Sequence, residues 1–213
     1  MNTDELVTLL ATGAGATEPN AVVRRYAIAL GWGAFGATLL MAILLGVRPD
    51  IDAAARLPMF WIKLAFPASV AFASLFAAAR LSRPGMRLGW VAGALVAPLL
   101  AVWLLAAFML LSAPLPERAE LILGRTWEHC LFGIPTLSVP VFVATLWAMK
   151  GLAPTRLSLA GASAGLLAGG VGALVYALHC PEMQAPFLGV WYVLGMLIPA
   201  AAGAFLGPFV LRW

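Results

Sequence analysis

Six apolar runs, each close to the roughly 20 residues that a helix needs to cross a bilayer core about 30 Å thick, govern what this chain can fold into. They extend approximately over 26–46, 58–79, 88–111, 131–149, 157–178 and 187–209. A water-soluble fold would have to cover all six with polar surface. With 63% hydrophobic and 10% charged residues, the chain lacks the side chains to do so. In lipid every backbone polar group must be satisfied within its own segment, so each run has to be a helix. The expected fold class is an all-α membrane protein, a six-transmembrane-helix bundle with the lipid bilayer around it. The formal net charge of +4 comes from basic residues standing singly or in pairs between the runs. That is the pattern of topology signals and not of a phosphate-binding patch, so no direct nucleic-acid contact is expected.

An even number of spans puts both termini on one side. Arg24, Arg25, Arg80, Arg83, Arg87, Lys150, Arg156 and Arg212 flank that side, whereas Arg48, Arg56, Arg118 and Arg125 flank the other. Counted by the positive-inside rule, both termini are cytoplasmic. The chain divides into a tail, residues 1–25, and a membrane domain, residues 26–213. The chain opens with Asp4 and Glu5, and its first apolar run is long enough to span, so a cleaved signal peptide is not expected. In the tail Thr3 offers an N-cap, Asp4 and Glu5 suit the first turn, and Leu6, Leu9 and Leu10 recur at helical spacing before Gly13, Ala14 and Gly15 stop the pattern. A helix of about ten residues is marginal alone in water and needs a surface to fold on. Helices that lie on lipid carry Lys and Arg on their polar face, and this one carries acids, which favours a partner's groove. Residues 15–20, with Glu18 and Pro19, read as a linker.

The chain has two cysteines and two histidines, and each histidine immediately precedes a cysteine: His129-Cys130 and His179-Cys180. Cys130 enters the fourth span and Cys180 leaves the fifth. The short connection 151–155 makes those helices antiparallel neighbours, so both pairs belong to one membrane face, opposite the termini. Three chemistries fit. Two thiolates and two imidazoles complete a tetrahedral set for zinc, and a softer ion such as cadmium suits the sulfurs equally. Two facing thiols are also a redox unit, and a plain structural disulfide is the third reading. Glu128 and Glu182 stand where they could accept an imidazole N–H. Lys63, the one charge well inside a span, lies near the outer end of the second helix, where its side chain can snorkel to the interface. Gly161, Gly165 and Gly169 in the fifth span and Gly203 and Gly207 in the sixth mark close helix packing, with dimerisation through these faces left open. Pro67, Pro98, Pro135, Pro140 and Pro199 imply kinks, with Thr136 and Ser138 refilling freed backbone groups. No nucleophile triad, phosphate loop or dinucleotide fingerprint is present, so the chain is not expected to be an enzyme or to need an obligatory cofactor. A small metal-ion transporter or a membrane thiol redox protein is the alternative, although the first needs polar residues through the spans and the second a relay of cysteines.

Several stretches resemble the NrsF-like anti-sigma factors. They are Trp127-Glu128-His129-Cys130, the run 135–140 (Pro-Thr-Leu-Ser-Val-Pro), the run 146–155, the glycine-rich fifth span, Tyr176 to Met183 and Trp191 to Met196, with Asp4-Glu5-Leu6 at the start. The resemblance covers nearly the whole chain and is most specific in the second half. It implies a bacterial inner-membrane protein that holds an extracytoplasmic-function sigma factor inactive at the cytoplasmic face. It also implies that Cys130 and Cys180 take part in sensing heavy-metal or oxidative stress. The tail, with Asp4, Glu5, Leu6, Leu9 and Leu10, is the expected contact for the sigma factor because it carries the only exposed apolar periodicity on that side.

Overall fold

The computed structural model describes residues 2–13 and 20–212. The expected linker falls almost entirely on residues outside that set. Helix α1 (Thr3–Gly13) is capped one residue earlier than the sequence suggests. The Asn2 carboxamide oxygen accepts from Thr3 N–H at 2.8 Å, its carbonyl accepts from Leu6 N–H, and the Glu5 carboxylate reaches back to Asn2 N–H. Asn2 therefore takes the capping-box role expected of Thr3. Leu6, Leu9 and Leu10 are exposed, at 41%, 65% and 66%.

The other helices are α2 (Ala21–Leu44), α3 (Ile51–Ala54), α4 (Pro58–Leu81), α5 (Val91–Ser112), α6 (Arg118–Leu123), α7 (Trp127–Lys150), α8 (Leu157–Tyr176), α9 (Ala185–Phe187) and α10 (Val193–Val210). A π-helical turn, Leu188–Tyr192, joins α9 to α10. Among the described residues six helical segments are long and apolar enough to cross a membrane. They overrun the apolar runs at several ends. Arg24 and Arg25 continue α2, and Trp127 to Cys130 form the first turn of α7, because a charged or polar residue at a helix end costs little where it meets water. The short helices α3 and α6 were not anticipated. Thr136 and Ser138 hydroxyls donate to the Phe132 and Ile134 carbonyls at 2.8 and 2.7 Å. Those are the ordinary i−4 carbonyls and not the ones that Pro135 and Pro140 leave free, so the hydroxyls do not refill those groups.

Helix α8 is the axis of the bundle. Two thirds of its most apolar window is buried, 67% against 11% for α5, which lies at the periphery with its large side chains turned outward. Its burial rests on small residues. A Cβ on Gly161 would come within 2.0 Å of the Gly203 carbonyl oxygen, one on Gly165 within 1.9 Å of the Pro199 oxygen, and one on Gly207 within 2.3 Å of the Leu157 oxygen. Helices α8 and α10 are thus in backbone contact along their length, and the glycine faces are occupied inside the chain. On the other sides of α8, Gly170 meets Ala71 of α4 and Gly172 meets Ser138 of α7. Two apolar clusters result. One, at the end carrying the cysteines, includes Ile134, Leu137, Tyr176, Phe187 and Tyr192. The other, at the end rich in arginine, includes Tyr26, Leu81, Met149, Leu167 and Leu211. Leu30, Phe142 and Val171 pack on both.

Gly165→Ala sets two effects against each other. Alanine gains about 1 kcal/mol over glycine in helix propensity, whereas forcing a methyl into a closed backbone contact costs about 1–3 kcal/mol. Given the 1.9 Å approach, the second should win, lowering the thermal midpoint in detergent followed by helical ellipticity. Gly93→Ala on α5, where nothing lies within 4 Å, should leave the midpoint unchanged or raise it.

Candidate functional site

Helix α8 ends because Pro181 cannot continue the ladder, and the Tyr176 carbonyl accepts both His179 N–H and Cys180 N–H at 3.0 Å. This tight stop turns Cys180 back toward the first turn of α7, which carries Cys130. Both thiols are completely buried. They lie within interacting range of each other, so residues fifty positions apart form one pair. Tyr176 closes the Cys130 side. Tyr192, on the π-helical turn, closes the Cys180 side. The Tyr192 hydroxyl is fully buried, has no hydrogen bond of good geometry, and faces the Cys180 sulfur.

Lys63 does not snorkel. It has no exposed surface. Its ammonium donates to the carbonyls of Cys180 at 2.5 Å and Glu182 at 2.8 Å and stands 5.8 Å from the centre of the Tyr192 ring. A charge buried away from water costs several kcal/mol unless it is paired and hydrogen-bonded, so the side chain turns inward to those carbonyls where the helix packing leaves no route to the surface. Arg48, also buried, makes a bidentate pair with Asp50 at 2.7 Å and donates to the Cys180 carbonyl at 3.3 Å. Asp50 is consequently held below the usual carboxylate range by Arg48. The Cys180 thiol is held below its ordinary range. The contact with Cys130, the Lys63 charge, the Glu182 backbone N–H and the Tyr192 hydroxyl together outweigh the effect of burial.

The histidines do not join the sulfurs. His179 Nδ1 lies 2.9 Å from the Gly46 carbonyl, which can only accept, so Nδ1 carries the proton. His129 is exposed and, with His179, Arg48, Asp50, Tyr176 and Pro181, lines a cleft of about 510 Å³. Among the described residues no group of three or more His, Cys, Asp or Glu side chains converges as a metal-ligand set. Glu182 accepts the backbone N–H of Arg125 at 2.8 Å, pinning the turn before α7, while Glu128 is exposed on a neighbouring apolar cleft that His129 shares. Trp127 stacks on Trp191 at 4.8 Å, and Trp191 donates to the Ile122 carbonyl. Lys63, Arg48, Tyr176 and Tyr192 were not singled out from the sequence as parts of this site. The usable signal was Lys63, since an ionisable residue inside a span is by default a functional group.

Comparison with known proteins bears on the family of the chain. The family model described as "NrsF: Negative regulator of sigma F" matches residues 10–213. The chain belongs to the NrsF family. It is 57% identical to the probable anti-sigma-F factor NrsF of Azospira oryzae over 213 residues, and 42% identical to the anti-sigma-F factor NrsF of Caulobacter vibrioides over 217 residues, with both chains fully covered in each case. No solved structure matches. NrsF proteins are regulators and not enzymes.

Mild oxidation of this NrsF chain should join Cys130 to Cys180 within one molecule, because the sulfurs already interact. Peptide mapping by mass spectrometry without reduction checks this. Cross-links between chains in place of the internal one would contradict the geometry.

Proposed function

We propose that this chain is a membrane-bound anti-sigma factor of the bacterial inner membrane. Its thiol end faces outward, and its tail and arginine-rich end hold an extracytoplasmic-function sigma factor in the cytoplasm. The orientation rests on the distribution of basic residues, eight on the side of the termini and four on the other. The observation that carries the sensing role is the closed contact of Cys130 with Cys180 beside a buried cation, at the end of α7 opposite Lys150. Helix α7 has 24 residues and is therefore about 36 Å long, so signal and grip lie on opposite faces. Oxidation of the pair to a disulfide fits this geometry better than chelation of zinc or cadmium, which calls for three or four converging ligands.

Forming the bond draws the start of α7 and the end of α8 together. Both helices run to the arginine-rich end, where Arg25 lies against Gly151 at the end of α7 and Tyr26 bonds Ser82 at 2.8 Å. A full switch between a holding and a releasing arrangement requires a differential of about 5.5 kcal/mol. The tail supplies the contact: Leu6, Leu9 and Leu10 are exposed on α1, and Asp4 and Glu5 give its first turn an acidic character that complements a basic groove.

Two outcomes test the reading with a reporter driven by the cognate sigma factor. Cys130→Ser and Cys180→Ser should each repress normally and respond poorly to oxidant, with the double variant little worse than either, since one missing sulfur already abolishes the pair. Full induction in the double variant removes the sensing role. Replacing Leu6, Leu9 and Leu10 together by Ser should release the sigma factor without unfolding the membrane helices. Co-purification of the sigma factor at wild-type yield would take the tail out of the contact surface.

A further inference from the structure

The two thiols have unlike surroundings. Four polar groups act electrostatically on the Cys180 sulfur: the Cys130 thiol, the Lys63 ammonium, the backbone N–H of Glu182 and the Tyr192 hydroxyl. They come from four different elements. Of these, the Tyr192 hydroxyl is buried without a hydrogen-bond partner, and Lys63 is fixed in place by the Cys180 and Glu182 carbonyls. Arg48, from the connection after α2, adds a second cation at the Cys180 carbonyl. For Cys130, by contrast, the hydrogen-bonding groups that act on the thiol are its partner sulfur and the Tyr176 hydroxyl. The cleft lined by His129 and His179 reaches Tyr176, so a small neutral oxidant arriving there stands one side chain away from the pair.

We propose that Cys180 is the sulfur that reacts first, that Cys130 resolves the product, and that Lys63 is the positioning residue that makes this choice. The inference rests on the thiol-sensing reading above and names the chemistry of that site. With a peroxide as oxidant, the Cys180 thiolate attacks one oxygen, the O–O bond breaks, and Cys180 becomes a sulfenic acid while the second oxygen leaves as hydroxide. The Cys130 thiol then attacks the sulfenic sulfur. Its proton and the sulfenic hydroxyl leave together as water, and the S–S bond forms. Both sulfurs together lose two electrons, and the peroxide takes them up. Before the attack the ammonium of Lys63 favours negative charge on Cys180, and in both steps it keeps that sulfur facing Cys130, because the same ammonium pins the 180–182 backbone.

The experiment uses the full chain in detergent micelles, hydrogen peroxide as the oxidant and a 1,3-dione trap for sulfenic acid, read by peptide mass. Cys130→Ser should accumulate trapped adduct at Cys180, whereas Cys180→Ser should show none at Cys130 over the same time. In the Cys130→Ser background, Lys63→Met should slow trapping about tenfold or more at neutral pH and shift the pH profile of the rate upward, and Lys63→Arg should restore much of both. Thermal unfolding of each variant separates slow chemistry from misfolding. Adduct appearing preferentially at Cys130, or a Lys63→Met protein that is folded and keeps the wild-type rate and pH profile, overturns the inference. An intact reporter response in the double serine variant would instead remove the sensing reading itself, so the two failures are distinguishable.

Discussion

A buried ammonium has to be satisfied by the protein that buries it, and the way Lys63 is satisfied shapes the whole thiol end. Its partners are main-chain carbonyls of the turn between α8 and α9, at Cys180 and Glu182. The turn is therefore tied to α4, a helix distant in sequence, by bonds that water cannot replace inside the bundle. With that turn held, Cys180 points at α7, Glu182 reaches the Arg125 backbone, and Arg48 adds a further tie to the Cys180 carbonyl. Removing the cation would leave the Glu182 carbonyl without its donor, the Cys180 carbonyl with Arg48 alone, and a sulfur without its counter-charge.

The second constraint is the close approach of α8 to α10. Lipid offers no hydrophobic force to press two apolar helices together, so the seam relies on van der Waals contact and on glycines that let carbonyls nearly touch the opposite backbone. Such a seam has little tolerance for sliding. In the proposed switch, a displacement at the Cys180 end of α8 would be carried along the helix to its other end instead of being absorbed in loosely packed side chains. The residues shared by both apolar clusters, Leu30, Phe142 and Val171, stand at the waist of this path.

The six spans and the meeting of the two cysteines were legible in the sequence because length, hydropathy and a short connection leave few alternatives. The placement of the histidines was not. Adjacent residues on a helix are turned about 100° from one another, so a Cys130 that faces the core sends His129 outward to the cleft. Lys63 was misread for a related reason. Snorkelling depends on which side of the helix faces lipid, and that is decided by packing against a turn far along the chain. The glycine rows announced close packing, but only the fold shows that α8 and α10 use those faces on each other. Asn2 displaced Thr3 as cap because the helix could start one residue earlier with Glu5 already in place to close the box.

The central claim is that the state of the thiol pair governs the grip on the sigma factor across the membrane. It is tested most directly by measuring sigma-factor affinity for the full chain in lipid nanodiscs with the pair reduced and with the internal disulfide formed. The account predicts that the oxidised protein binds at least about tenfold more weakly, a difference of about 1.4 kcal/mol. Equal affinity in the two states, with the disulfide verified in the same sample, would contradict it.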